Sequence, residues 1–177
     1  MGWNEILSQR QAKYPAEAIV RFVASNFYDA PCRPDVHFLD IGTGGGAIAK
    51  FLEAEDFNVT AIDSAPRARA HYHEEIETID FCPESFDCII DHNTLCHVEN
   101  IPTKKIKSWL KPGGLFFSVA PRDDTWRGHL VGKGYCRLAS LKEIIELYDD
   151  FAPLEVGYAT YTHNGHEITS WIVEGGK

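Results

Sequence analysis

Apolar positions along the chain alternate between two spacings. From Pro15 onward, Ala18, Ile19, Phe22, Val23 and Phe27 recur at helical intervals, and Pro15 suits a first turn, where a missing N–H costs nothing. Trp3, Ile6 and Leu7 predict a shorter helix before it. Val36 to Ile41 reads as a strand ended by Gly42-Thr43-Gly44-Gly45-Gly46, after which Ala47 to Glu55 returns to helical spacing. Asn58 to Ile62 is a second strand pattern closed by Asp63, and Phe86 to Ile90 is a third apolar run. A helix is predicted over Ile101 to Leu110 and another over Leu141 to Tyr148, with a strand at Leu115 to Val119 behind the turn Pro112-Gly113-Gly114. The tail differs. Glu155 to Tyr161 and Glu167 to Val173 flank His163-Asn164-Gly165-His166, and Asn-Gly between strand patterns marks a hairpin.

Strand and helix thus alternate before an antiparallel C-terminal hairpin, an order that implies an α/β three-layer sandwich around a mostly parallel sheet. The 177 residues predict one domain over 1–177, with residues 1–34 as an N-terminal helical cap and 35–177 as the core. A chain of this size buries roughly two-thirds of its unfolded surface and needs no disulfide or metal staple.

Charge narrows the partners. Seventeen Lys and Arg against 26 Asp and Glu leave a net charge of −9, so no basic stripe is expected to neutralise nucleic-acid phosphates or an anionic membrane. Cys32, Cys82, Cys88, Cys96 and Cys136 are odd in number and contain no CxxC pair, so neither a disulfide framework nor a zinc site is expected from spacing. The N-terminus lacks a basic region followed by a long apolar stretch, and no run approaches a membrane span. The expected location is cytoplasmic.

Chemistry concentrates in the glycine loop. Gly42, Gly44 and Ala47 satisfy the dinucleotide fingerprint G-x-G-x-x-A, and Asp63 stands about 20 residues further on, where a ribose-binding acid belongs. Asp40, two positions before Gly42, would repel a pyrophosphate and welcome an ammonium or sulfonium. Asp40-Ile41-Gly42-Thr43-Gly44-Gly45-Gly46 resembles the first motif, D-x-G-x-G-x-G, of the class I S-adenosylmethionine-dependent methyltransferases. Val59 to Asp63, Ser85 to Asp91 and Leu110-Lys111-Pro112-Gly113-Gly114 are similar to further blocks of that family, as is the terminal hairpin. Tyr14-Pro15 before a helix resembles its small-molecule branch.

The resemblance implies a Rossmann-like fold, S-adenosyl-L-methionine as cofactor and methyl transfer to an oxygen or nitrogen of a small molecule. It further implies that Gly42, Gly44 and Gly46 admit the methionyl portion, that Asp40 takes its amino group and that Asp63 accepts the ribose hydroxyls. Glu75 and Ile76 fall where the family places its adenine-contacting acidic–apolar pair, with Glu77 and Asp80 as competitors, and His92 would supply backbone beside the sulfonium.

Methyl transfer requires alignment first and a general base only when the acceptor must lose a proton. His92 and His97 are the candidates, with a buried histidine bonded to backbone as the plainer reading of His97. Asp91-His92-Asn93-Thr94 lacks the Pro-Pro-aromatic sequence of base-methylating enzymes. No metal is expected: His71 with His73 and His163 with His166 read as solvated, and Asp123-Asp124 departs from a magnesium pattern beside Asp91. Pro121 to His129 is either a surface loop or a lid in which Arg122 or Arg127 grips an acceptor anion beside Trp126, with Arg10 and Tyr14 closing the other side. The alternatives are an NAD(P)-binding oxidoreductase and a non-catalytic S-adenosylmethionine-binding protein.

Overall fold

The computed structural model describes residues 3–8, 12–126, 135–163 and 165–177. Arg10 and Arg127 lie outside these residues. The described strands, β1 (His37–Ile41), β2 (Asn58–Ile62), β3 (Phe86–His92), β4 (Leu110–Pro121), β5 (Leu154–His163) and β6 (His166–Gly176), form one sheet in the order β2-β1-β3-β4-β6-β5. β1 to β4 pair in parallel, whereas β6 pairs antiparallel with both β4 and β5. The mixed α/β sheet and its C-terminal hairpin are those read from the hydrophobic pattern. His163 pairs with His166, leaving the two-residue connection that Asn-Gly predicts, with Gly165 at φ +77°.

Successive side chains along a strand face opposite ways, and here both faces are apolar. Phe38, Cys88, Ile90, Phe117 and Val119 pack with Ile19, Phe22 and Val23 of α2 (Glu17–Phe27) and Ile48 and Leu52 of α3 (Ala47–Ala54). Leu39, Ile41, Ile89 and Phe116 pack on the other side with Ile106 and Trp109 of α4 (Thr103–Trp109) and Ile144 of α5 (Leu141–Leu147). The sheet is therefore the middle of three layers. The short helix α1 (Trp3–Leu7) buries none of its residues and lies at the sheet's carboxyl edge, where its apolar side chains meet a cavity.

One segment differs from the sequence pattern and a second follows it. The expected turn at Pro112-Gly113-Gly114 lies within β4: Phe86 pairs with Leu110 and Cys88 with Leu115, so the intervening residues form a wide bulge that needs Gly113 at φ +76°. Between β2 and β3, residues 63–85 form turns and one bridge from Ile62 to Tyr72, in agreement with the reading that the short spacing from Asp63 to Glu75 leaves the family's third strand and preceding helix shortened or irregular.

The order β2-β1-β3 is what positions the site. The chain leaves β1, builds β2 on one side and returns to build β3 on the other, so the connections diverge above the carboxyl ends of β1 and β3 and leave a crevice.

Adjacent residues of α5 test the layer assignment. Ile144 is 1% exposed and Ile145 46%. Ile144→Ala is expected to cost about 2–5 kcal/mol, as core truncations do, and Ile145→Ala to stay within about 0.5 kcal/mol, as exposed positions do. Urea unfolding of the two variants measures both; equal losses would overturn the assignment.

Candidate functional site

The crevice is a cavity of about 670 Å³ whose wall includes Ile41 and Gly42 at the end of β1, Ile62 and Asp63 at the end of β2, and His92 to Thr94 at the end of β3. Glu75, Ile76 and Glu77 line it from the irregular segment, and Trp3, Ile6 and Leu7 from α1. Pro121 of β4, Tyr161 of β5 and Ile168 and Ser170 of β6 complete the far side.

The glycine turn is shaped by its own chain as well as by its opening. Gly42 stands at φ +69°, donates its N–H to Ile62 O at 2.8 Å, and has Thr94 Oγ1 only 2.0 Å from where a Cβ would sit. Gly46, at φ +77°, is crowded by Arg69 at 3.1 Å and does not line the cavity. Gly44 alone of the three meets only ordinary contact, with Leu7 Cδ2 at 3.6 Å, and its backbone faces the cavity. Two of the three glycines thus answer to Thr94 and Arg69 within the protein.

Asp63 is fixed by the backbone. One carboxylate oxygen accepts Gly44 N–H at 2.9 Å and the other Ala65 N–H at 2.8 Å, which leaves each oxygen further acceptor capacity on the cavity wall. The same carboxylate therefore ties the β2 end to the glycine turn.

Two fully buried carboxylates lie deeper, and their environments differ. Asp91 accepts Thr94 N–H and Leu95 N–H, each at 3.0 Å, and Ser118 Oγ–H at 2.6 Å. Burial raises its pKa to about 6 against those three donors. Asp40 has neither oxygen in an aligned hydrogen bond and does not line the cavity. Its pKa rises to about 7, chiefly from burial; the nearby Thr43 hydroxyl and Ala49 N–H pull it down, and the Asp91 and Asp63 charges push it up. A buried carboxyl without aligned donors holds its proton more tightly than one with three.

Other sequence candidates divide between wall and scaffold. His92 lines the cavity, half-buried, with burial lowering its pKa, so the ring is neutral at pH 7. His97 also lines it, with Nδ1–H donating to Tyr135 O at 2.6 Å and its ring edge-on to Trp3 at 4.7 Å. Glu75, Ile76 and Glu77 reach the wall; Asp80 does not, accepting instead from Trp109 Nε1–H at 3.0 Å. Tyr14 is 71% exposed and borders a smaller adjoining recess beside Gly44.

Arg122 and Trp126 do not line the cavity. The Arg122 guanidinium binds Asp124 at 2.7 Å and lies over the Trp171 and Tyr158 rings at 4.6 and 4.9 Å, an arrangement that turns it onto the β5–β6 hairpin. Trp126 stacks on His166 with ring centres 4.1 Å apart. His71 and His73 do not converge: Nδ1 of the first accepts Ala61 N–H at 3.0 Å, and the second bonds Ala65 O at 3.0 Å.

Sequence reading missed the wall built by α1, Thr94 and the hairpin. The helical spacing of Trp3, Ile6 and Leu7 gave α1 but not its address, and Tyr161, Ile168 and Ser170 lay in strands read only for pairing.

Comparison with known proteins follows the same line. A family profile described as a methyltransferase domain matches residues 7–152. The ubiquinone biosynthesis O-methyltransferase of Actinobacillus pleuropneumoniae is 31% identical over 106 residues, covering 48% of this chain and 45% of that protein. Its namesake in Xanthomonas campestris is 34% identical over 102 residues, covering 48% and 42%. The chain spans about half the length of the curated relatives it matches. A SAM-dependent methyltransferase of Methanosarcina mazei superposes with a TM-score of 0.68 at 18% identity, covering 93% of this chain and 98% of that one. Phosphoethanolamine N-methyltransferase 2 of Haemonchus contortus, solved with phosphomonomethylethanolamine and S-adenosylhomocysteine, superposes with a TM-score of 0.75 at 16% identity, covering 99% and 56%. Identities this low speak to the fold.

The buried Asp40 has a measurable signature. Its folded pKa of about 7 exceeds the unfolded value of 3.8, so between the two the folded state holds the extra proton and stability falls as pH rises. Asp40→Asn removes this term while leaving Asp91 in place. The loss of unfolding free energy between pH 5 and pH 8 is expected to be smaller in the variant than in the wild type, measured by urea titration; parallel profiles would refute the assignment.

Proposed function

The chain belongs to the methyltransferase-domain family, and from that premise we propose that it transfers the methyl group of S-adenosyl-L-methionine to an oxygen or nitrogen of a small molecule. The observation that carries this reading is that one cavity is lined together by Asp63, Gly42, Gly44 and His92, by Glu74, Glu75 and Glu77, and by aromatic and apolar side chains. Family membership sets aside the oxidoreductase alternative.

The residues fit such a cofactor. Asp63, already oriented by Gly44 and Ala65, has acceptor capacity left for two ribose hydroxyls. Ile76 offers an apolar face to the adenine ring, and Glu75 or Glu77 an acceptor for its amino group. Asp40, without an aligned donor beneath the glycine turn, holds its proton up to about pH 7, and an ammonium above it would favour the ionised carboxylate. When bound, S-adenosylmethionine supplies an activated methyl on a sulfonium, so the protein's part is alignment and, for a hydroxyl or ammonium acceptor, proton removal. His92 is neutral at pH 7 and stands on the wall, where its ring can take that proton. The acceptor lies between His92, His97 and the hairpin residues Tyr161, Ile168 and Ser170. Likeness to the ubiquinone-pathway enzymes supports an oxygen acceptor, and likeness to the phosphoethanolamine enzyme a nitrogen one.

Two measurements test this. S-adenosylhomocysteine at 100 times its dissociation constant adds about 2.7 kcal/mol, a rise of roughly 5–11 °C in Tm at about 2–4 °C per kcal/mol; NAD is expected to give none. Label from methyl-labelled S-adenosylmethionine is expected in a small-molecule product when the protein is mixed with a metabolite extract, and binding without turnover would leave only a cofactor-binding protein.

Asp63→Ala is expected to weaken S-adenosylhomocysteine at least about tenfold by calorimetry, since hydrogen bonds to a charged group contribute about 1.5–3 kcal/mol each. It is also expected to lower the stability of the ligand-free protein, because Gly44 and Ala65 lose their acceptor. Unchanged affinity would remove Asp63 from the ribose site.

A further inference from the structure

Cys96, His97 and Cys136 come together beside the cavity. The potential ligand atoms of the three side chains all lie within 4.8 Å of one another, and this is the one such group among the described residues. Cys96 is buried, and Cys136 and His97 are half-buried; Cys96 and His97 line the cavity. Two thiols and an imidazole are the ligand set that selects zinc or another thiophilic divalent ion over magnesium or calcium.

The surrounding backbone holds the group in place without an ion. Arg137 N–H donates to Cys96 O at 2.7 Å, the Arg137 guanidinium donates to Glu99 O at 2.8 Å, and His97 Nδ1–H donates to Tyr135 O at 2.6 Å. These three bonds clamp residues 135–137 against 96–99, segments that sequence spacing keeps far apart. The last of them matters chemically. A carbonyl only accepts, so Nδ1 carries a proton, and in the neutral ring the lone pair resides on Nε2. A histidine that ligates a metal characteristically donates its other ring N–H to a carbonyl or carboxylate in this way. Upstream, Asp91 accepts Leu95 N–H and fixes the start of the turn that presents Cys96 and His97.

We propose that Cys96, His97 and Cys136 form a three-ligand zinc site on the cavity wall. Binding replaces two S–H bonds with two Zn–S bonds and releases two protons to solvent, so that two thiolates balance the charge of the ion and His97 joins as a neutral ligand. Three protein ligands leave a tetrahedral ion one further position, which water or the heteroatom of a small molecule in the cavity can occupy. This site rests on the side-chain cluster and stands apart from the methyl-transfer reading.

The test uses the whole chain, stripped with chelator and kept reduced. Cobalt(II) titration is expected to produce thiolate-to-cobalt charge-transfer absorption that saturates at about one ion per chain, and zinc is expected to bleach it. Cys136→Ser replaces a half-buried side chain and is expected to weaken zinc by at least about a hundredfold in competition with a chromophoric chelator, beyond the ~10–100-fold typical of losing an outer partner. His97→Gln is expected to weaken zinc while retaining a thiolate–cobalt band of altered shape. Far-ultraviolet circular dichroism confirms that each variant is folded. No thiolate–cobalt band in the wild type, or undiminished zinc affinity in folded Cys136→Ser, would overturn the site. So would a tryptic peptide linking Cys96 to Cys136 as the dominant form after purification without reductant, which would make the pair redox partners.

Discussion

The carboxyl edge of the sheet depends on one buried carboxylate. Asp91, next to last in β3, pairs with Ser118 and accepts hydrogen bonds from Ser118, Thr94 and Leu95. Burying a carboxylate costs several kcal/mol even after relaxation, and hydrogen bonds to a charged acceptor contribute about 1.5–3 kcal/mol each. Three of them offset part of the burial cost, and the remainder keeps the pKa raised to about 6. What they establish is a turn. With Thr94 and Leu95 drawn onto Asp91, the chain reverses after β3, Thr94 is seated against Gly42, and His92, Cys96 and His97 are presented to the cavity. Gly42 is then required because Thr94 occupies the space its side chain would need.

The neighbouring Asp40 shows the opposite balance. It is buried without an aligned donor, and its pKa is raised further than that of Asp91. Asp40, Asp63 and Asp91 are close enough for the last two to push up the first. A cation at this turn would draw Asp40 and Asp91, whose pKa values stand at about 7 and about 6, toward their ionised forms. In the proposed function that cation is the ammonium or sulfonium of the ligand. A dinucleotide's pyrophosphate would be repelled from the same turn.

The hairpin contributes more than an edge to the sheet. β6 pairs antiparallel with β4, so it brings Ile168 and Ser170 beside Pro121 at the end where the parallel strands finish. It also carries Arg122 away from the cavity, between Asp124 and the rings of Tyr158 and Trp171. The far wall is therefore aromatic, apolar and thiol-bearing among the described residues, and α1 adds Trp3, edge-on to His97.

The division between sequence and tertiary structure follows the range of the interactions. Alternation of apolar runs with glycine turns determined the parallel strands, because burial on both faces demands near-continuous hydrophobic segments; Asn-Gly determined the hairpin, because few residues adopt that turn. The D-x-G-x-G-x-G segment and Asp63 were legible as a turn because its geometry is local to the β1 and β2 ends. Residues 63–85 were legible only as irregular, since a segment held by single contacts such as His71 Nδ1 to Ala61 N–H and Trp109 Nε1–H to Asp80 has no period from which to read its path. Arg122 could be read two ways, as a lid's anion clamp or as part of a surface loop, for a related reason: a flexible cation goes to whatever partners the fold brings near, and these were a hairpin's rings. Cys96, His97 and Cys136 mark the limit. Their residue types were plain in the sequence, but their convergence arises from hydrogen bonds between segments remote along the chain, and only the folded sheet brings those segments together.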